Sequence, residues 1–477
     1  MQTFPEIISP VSFPHHWRGW IVFFALILLE IFSIVLIFLL PDPVPFLGGV
    51  GTMLVFFFTL AEPLTVIYAI IFVTFAVPAD IIGEQFIIRI IGVNFYAMDW
   101  LLLIGGFSLL LRYSLGVMPK MPRTFLRVPV AIFLGSLFFF AAVSLRMGNG
   151  VQDVFADVRL FFYYISFFLI LLEVRNAADI EKVFWAIVTC GLIGSTIAIL
   201  HSLSDTQYNQ FLGRTVLFHR ITGSDEINYP MLLIASLCYF PYAQKGRQRY
   251  LLVLAVVLSS MALFLSFARG SWLAAGVGFV VVLVLFGRHF LIRGKGLYYI
   301  VLVILLLGAG LALLTATGSF TITDLLARAN LSGASGVDIS SIQRLTELKY
   351  AFELFLSHPI LGAGIGYIYQ FYSIGVGEIR QIFLHNSYLW VLSKMGLVGF
   401  ALFLWLFLTS IIIAFRTAGK CRTNREQGLL ISFTSIIIVL MIKATTTWHL
   451  NVLTDTLFIG VVLGIIGTIN AWVRKLE

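Results

Sequence analysis

The chain reads as an all-α polytopic membrane protein of about 12–14 transmembrane helices, with a large extracytoplasmic loop holding amphipathic helices of its own. Three observations predict this. Of the 477 residues, 60% are hydrophobic and only 11% charged, where soluble domains carry about 25% charge. Apolar windows of about 20 residues, the length that crosses hydrocarbon as a helix, recur along the chain. The period-two alternation of a membrane barrel is absent, so each span must satisfy its backbone internally, as helix.

Taken in order, the expected spans are 19–40, 44–60, 64–82, 97–112, 129–145, 158–173, 183–200, 229–243, 250–267, 271–287, 298–316, 397–415, 428–443 and 454–473, with 44–60 and 428–443 giving the weakest signals. The first window follows Arg18 and runs into PDPVP without a small-x-small cleavage pattern, so it reads as an uncleaved span rather than a signal peptide. Cys190 and Cys238 fall inside spans and Cys421 in a basic loop, and no pair is placed for a bridge.

Orientation follows from lysine and arginine in the short loops. With the N-terminus cytoplasmic, the inner segments hold Arg18; Arg112, Lys120, Arg123 and Arg127; Arg175 and Lys182; Lys245, Arg247 and Arg249; Arg288, Arg293 and Lys295; Arg416, Lys420, Arg422 and Arg425; and Arg474 and Lys475, which is 19 of the 31 bases. Both termini then lie inside. These clusters sit between apolar spans, where lipid headgroups and topology account for the +8 charge, so membrane lipids are the expected partners and nucleic acid is not.

The chain divides into N-terminal transmembrane helices (1–200), an extracytoplasmic loop (201–228), further spans with an SFARGSW turn (229–316), a large extracytoplasmic loop (317–396) and C-terminal spans (397–477). Long connections tend to be functional. The larger loop carries a helix signal: Asp338 or Ser340 can cap a run whose stripe is Ile342, Leu345, Leu348, Phe352 and Phe355, stopped by His358-Pro359, with Arg344 beside the stripe. Such a helix lies along the membrane surface or packs on the bundle.

Charge is costly in hydrocarbon, and the span centres are nearly free of it. Glu30 is the exception, readable as a proton or ion site or as a protonated carboxyl bonded to a neighbouring helix. Polar candidates gather instead on the outer face: Arg214, His219, Arg220 and Asn228 in the first long loop, Arg269 in SFARGSW, Arg344 in SSIQRLTELKY, and His385-Asn386. Arginine forks hold two phosphate oxygens at once and keep their charge, which suits a phosphate-bearing ligand. The bland alternative for each is a headgroup contact or a loop brace. Arg159 reads as a span-end anchor or a diphosphate contact, and Arg89 and Arg380 as loop residues.

SFARGSW, QRLTELKYAFELFLSHPILGAGIG and LHNSYLWVLSKMGLVGF, in that order, resemble the pattern of the O-antigen ligase and O-antigen polymerase superfamily, and RITGSDEINYP is similar to its preceding R-x-x-G…N segment. The resemblance spans Arg220 to about Phe400. It implies a GT-C-like, metal-independent glycosyltransferase of the bacterial inner membrane, working on the periplasmic side without a cofactor. The donor it implies is an undecaprenyl-diphosphate-linked glycan, and the acceptor a second lipid-linked glycan or a lipid A core sugar, in lipopolysaccharide or exopolysaccharide synthesis. Carried over residue by residue, Arg220 and Arg344 grip the diphosphate and His385 acts near the acceptor hydroxyl, with Arg214, Arg269, Arg159, Asn228 and Asn386 as further substrate contacts. Arg269 departs from the family's S-R-G step, since Ala268 precedes it.

The chemistry is coherent with those residue types. Cleaving a sugar–phosphate bond leaves extra negative charge on the diphosphate, which fixed guanidinium groups stabilise. The outer loops lack a DxD pair or a His/Cys/Asp cluster at ligand spacing, SDE at Ser224 to Glu226 is a poor metal candidate, and Gly362-x-Gly364-x-Gly366 lacks the strand-to-helix setting of a nucleotide fingerprint. If Asn386 or Ser387 opens a helix, its positive end disfavours imidazolium at His385, leaving a neutral ring that can accept a proton. The alternative is a structural histidine at a helix start. The competing functions are a transporter or flippase coupled through Glu30, and a scaffold without chemistry.

Overall fold

The computed structural model describes residues 43–77, 88–90, 93–116, 118–204, 207–211, 214–218, 224–244, 246–266, 268–291, 308, 339–373 and 377–475. The expected spans 19–40 and 298–316, and Glu30, lie outside them, apart from the single described residue 308. In chain order the helices are α1 (Pro43–Ala61), α2 (Thr65–Ala76), α3 (Ala97–Ser114), α4 (Arg127–Arg146), α5 (Val151–Phe162), α6 (Ser166–Glu173), α7 (Ala177–Ser204), α8 (Asn228–Tyr239), α9 (Gly246–Leu265), α10 (Arg269–Leu291), α11 (Ile339–Ser357), α12 (Ser387–Ala418), α13 (Asn424–Lys443) and α14 (Leu453–Arg474). A 3-10 turn at Tyr163–Ile165 joins α5 to α6. Eight helical segments among the described residues are long and apolar enough to cross a membrane, and the chain is an all-α polytopic membrane protein.

Three short antiparallel hairpins, which hydropathy did not predict, decorate the helices: β1 (Ile88–Ile90) with β2 (Val93–Phe95), β3 (Gln207–Phe211) with β4 (Arg214–Phe218), and β5 (Tyr369–Ser373) with β6 (Gly377–Gln381). Each is at most five residues a side, too little apolar alternation to stand out beside spans of twenty.

The weak 428–443 signal has a physical cause. In α14, 94% of the membrane-length window is buried and in α13 78%, against 39% in α4, α7, α10 and α12. α13 packs on α8, α10, α12 and α14. A helix surrounded by protein need not be as apolar as one facing lipid, so α13 accommodates Ser432, Thr434 and Ser435. Their hydroxyls donate to the carbonyls of Gly428, Leu430 and Ser432 at 2.7–2.8 Å. All twelve residues of α8 are buried beside it.

α12 is two helices in one line. Gly396 has φ 63° and breaks the ladder there. The amides of Leu397 and Val398 donate to the carbonyls of Pro359 and Ile360, while Ala363 and Gly364 donate to those of Ser393 and Lys394. The HPILGAGIG stretch is therefore a strap bonded into the break. Gly362, at φ 73°, lies so close to the Lys394 backbone that a β-carbon would collide with it. Beneath the strap, Lys394 and Asp157 form a fully buried ion pair at 2.6 Å, and Asp157 also accepts the Gly366 amide at 2.7 Å.

α11 ends where the His358-Pro359 stop predicts, Ser340 falls inside it and Asp338 lies outside the described residues, but its rotation differs from the expected one. The face turned inward carries Glu347 and Ala351, with Tyr350 and Leu354 partly buried against the core. Leu345 and Phe352, members of the expected apolar stripe, are exposed. The Tyr350 and Tyr367 hydroxyls bond at 3.0 Å, and burial with that bond pushes the Tyr367 phenol up to about 12. The helix thus packs on the bundle while presenting apolar side chains outward.

Candidate functional site

Asn386 caps α12, its Oδ1 accepting the Leu389 amide at 2.9 Å, which leaves His385 just ahead of the first turn. Its partner is Glu347 on α11, a carboxylate only 1% exposed. The His385 amide donates to Glu347 Oε2 at 3.1 Å, and Nδ1 lies 2.9 and 3.1 Å from the two carboxylate oxygens. A carboxylate accepts, so Nδ1 is the ring's donor to Glu347 and Nε2 is the nitrogen turned away from it. Among the described residues Nε2 has no hydrogen-bond partner, and the side chain remains 31% exposed.

The segment between α13 and α14 holds this corner in place. Asn386 Nδ2 donates to the Thr445 carbonyl at 2.9 Å, the Ser387 amide to those of Ala444 and Thr447 at 3.0 and 3.2 Å, and Ser387 Oγ to Thr447 at 3.0 Å. Tyr388 reaches the Met441 carbonyl at 2.6 Å. Trp448 in the same segment packs against Phe383, ring centroids 3.8 Å apart, and lies nearly parallel to the His385 ring.

A cavity of about 150 Å³ opens here, lined by Arg344 and Glu347 from α11, His385 and Asn386, and Thr445 and Thr446. Arg344 is exposed into it. Behind Thr446 lies the start of α10. A β-carbon on Gly270 would collide with Thr446 Oγ1 and stand 3.4 Å from Lys443 Nζ. Lys443, 2% exposed, donates to Ser271 Oγ at 2.7 Å and pairs with Glu226 at 3.7 Å. Its ammonium and the Arg344 guanidinium are near enough to repel each other. Arg269, half-buried, is the first residue of α10, whose amino end adds partial positive charge. SFARGSW, QRLTELKY and LHNS thus meet around the 443–448 segment.

The other candidates fall elsewhere. Arg220 and His219 lie outside the described residues, and of Arg214 only the backbone, at the start of β4, is described. Asn228 begins α8, buried, its Nδ2 donating to the Thr74 carbonyl at 2.8 Å, so it braces α2. Arg159 stands 3.5 Å from Asp99 and over the Tyr96 ring, tying α5 to α3. Neither lines the cavity.

Sequence reading missed Glu347, Lys443 and Trp448. Glu347 was within reach of it: three residues after Arg344, it shares that residue's helix face. Lys443 departs from the positive-inside pattern at the end of a span, a signal that its weak hydropathy obscured. Nothing local marks Trp448.

Residues 254–404 match the family model described as O-Antigen ligase. The match takes in Arg269, Arg344, Glu347, His385 and Asn386 and leaves out Arg220 and Lys443. No curated protein sequence matches the chain.

Proposed function

The chain carries a domain of the O-antigen ligase and polymerase superfamily over residues 254–404, and from that premise we propose that it is a membrane glycosyltransferase. It moves a glycan from an undecaprenyl-diphosphate-linked donor to the hydroxyl of a lipid-linked glycan or a lipid A core sugar. The observation that carries this reading is the open Nε2 of His385, backed by buried Glu347 and sharing a cavity with Arg344.

The acceptor hydroxyl gives its proton to Nε2 as its oxygen attacks the anomeric carbon. The bond from that carbon to the phosphate oxygen breaks, and the charge stays on the diphosphate. Glu347 stabilises the imidazolium that forms, the role of the carboxylate in a catalytic triad. Arg344, with Arg269 and Arg220, holds the leaving group, each such donor contributing on the order of 3 kcal/mol at the transition state. The donor bond is already activated, so the step needs neither nucleotide nor metal, and a single in-line displacement inverts the anomeric centre.

This cavity faces the periplasm in the proposed topology, with both termini in the cytoplasm. The support is charge: Arg112, Arg127, Arg175, Lys182, Arg288, Arg416, Arg425 and Arg474 belong to the opposite helix ends, where Arg112 pairs with Glu173 and Arg425 with Glu181.

The test is glycan transfer by membranes bearing Arg220→Ala, Arg344→Ala or His385→Ala, with protein level checked by immunoblot. Each is expected to lose transfer while staying in the membrane. Transfer at the wild-type rate in all three overturns the reading.

A further inference from the structure

Trp448 stands between firmly anchored neighbours. On one side of it the Thr447 carbonyl accepts from Ser387; on the other, His449 Nδ1 and Asp455 bond at 2.6 Å, both nearly buried, and the Leu450 carbonyl accepts the Tyr164 hydroxyl at 2.8 Å. The ring between these anchors is half-exposed. The indole N–H groups of Trp185, Trp272 and Trp390 bond to protein acceptors; those of Trp100, whose ring nitrogen is buried, and of Trp448, at a half-exposed ring, have no hydrogen-bond acceptor among the described residues. Trp448, Phe383 and His385 form one cluster, Phe383 lying 5.7 Å from His385 edge-to-face and 3.8 Å from Trp448.

From this juxtaposition we propose that Trp448 and Phe383 form a saccharide subsite, where the apolar face of a pyranose ring of the acceptor packs against the indole and its hydroxyl is delivered to His385 Nε2. The subsite rests on the glycosyl-transfer reading above and names a residue that recognises the acceptor. A pyranose has a C–H face and a rim of hydroxyls. It matches an aromatic surface that carries one free donor, the indole N–H, beside one free acceptor, Nε2. An isoprenoid tail would cover both polar atoms without pairing either. The cluster packs on the imidazole, the group that takes the acceptor's proton, which assigns it to acceptor rather than donor.

The full-length protein, labelled with 5-fluorotryptophan and held in lipid nanodiscs, reports on this by fluorine NMR, with Trp448→Phe assigning the resonance. Titration with methyl glucopyranosides, galactopyranosides and mannopyranosides is expected to move the Trp448 signal saturably for at least one sugar, while glycerol leaves it in place. In turnover, Trp448→Ala is expected to raise the acceptor KM about three- to tenfold with kcat nearly unchanged, and Trp448→Phe to restore most of the loss. The proposal is overturned if no pyranoside moves the resonance, if farnesyl phosphate moves it and sugars do not, or if Trp448→Ala lowers kcat and leaves KM alone. Binding is read without turnover, so unimpaired transfer by His385→Ala would defeat the catalytic reading and leave the subsite standing.

Discussion

His385 and His449 make the same bond in different surroundings. Each sets Nδ1 against a carboxylate, His385 at 2.9 Å from Glu347 and His449 at 2.6 Å from Asp455, and both carboxylates are nearly buried. The imidazole of His385 is 31% exposed and borders a cavity; that of His449 is 4% exposed. The pairing alone therefore does not mark a catalytic histidine. What separates the two is access to the second ring nitrogen, which the proposed mechanism needs and which packing decides.

Substitutions at the two pairs should separate rate from stability. His385→Ala is expected to cost about a hundred- to ten-thousand-fold in transfer rate, with thermal unfolding of the detergent-solubilised protein nearly unchanged. Equal rates for variant and wild type would put His385 on the same footing as His449. Glu347→Gln keeps the shape but accepts the Nδ1 proton less strongly, so a rate loss of about a hundredfold is expected, read in the same assay. His449→Ala should do the reverse. It leaves Asp455 buried without its partner, a destabilisation of about 3–5 kcal/mol, seen as a lower melting temperature, while the rate per folded molecule holds. The smallest effect belongs to the caps and braces. Tyr164→Phe removes one hydrogen bond and Asn386→Ala two, those to the Leu389 amide and the Thr445 carbonyl, about 1 kcal/mol per bond, and the Asn386 change alone should also slow transfer, because it loosens the helix start beside His385.

The C-terminal end of α11 and the start of α12 were legible because the signals are local. His358-Pro359 stops one helix and Asn386 caps the other, and each acts on backbone groups within a turn. The rotation of α11 was not legible. Its apolar stripe and its Glu347 face compete for the interior, and the buried face is chosen by a bond to His385, 38 residues further on. The expectation of a proton-accepting ring at His385 rested on the α12 amino end; the structure adds Glu347, which holds the ring through Nδ1. Of the two arginines expected to grip a diphosphate, Arg344 borders the cavity and Arg220 lies outside the described residues. The Gly362, Gly364 and Gly366 run proved to be a strap in contact with the Lys394 backbone, Asn149 and Val154, partners that no spacing rule names.

Composition and hydropathic period alone determined that this protein is a helical membrane bundle, which of its connections are long, and where several helices begin and end. These properties follow from each residue's own transfer free energy and from hydrogen bonds a few residues apart. Only the tertiary structure decided that α13 is central, that Lys443 stands beside Ser271 and Glu226, and that Glu347 rather than a helix end orients His385. Those facts come from buried faces interlocking across hundreds of residues, where the cost of an unpaired polar group selects one partner among many that the chain could offer.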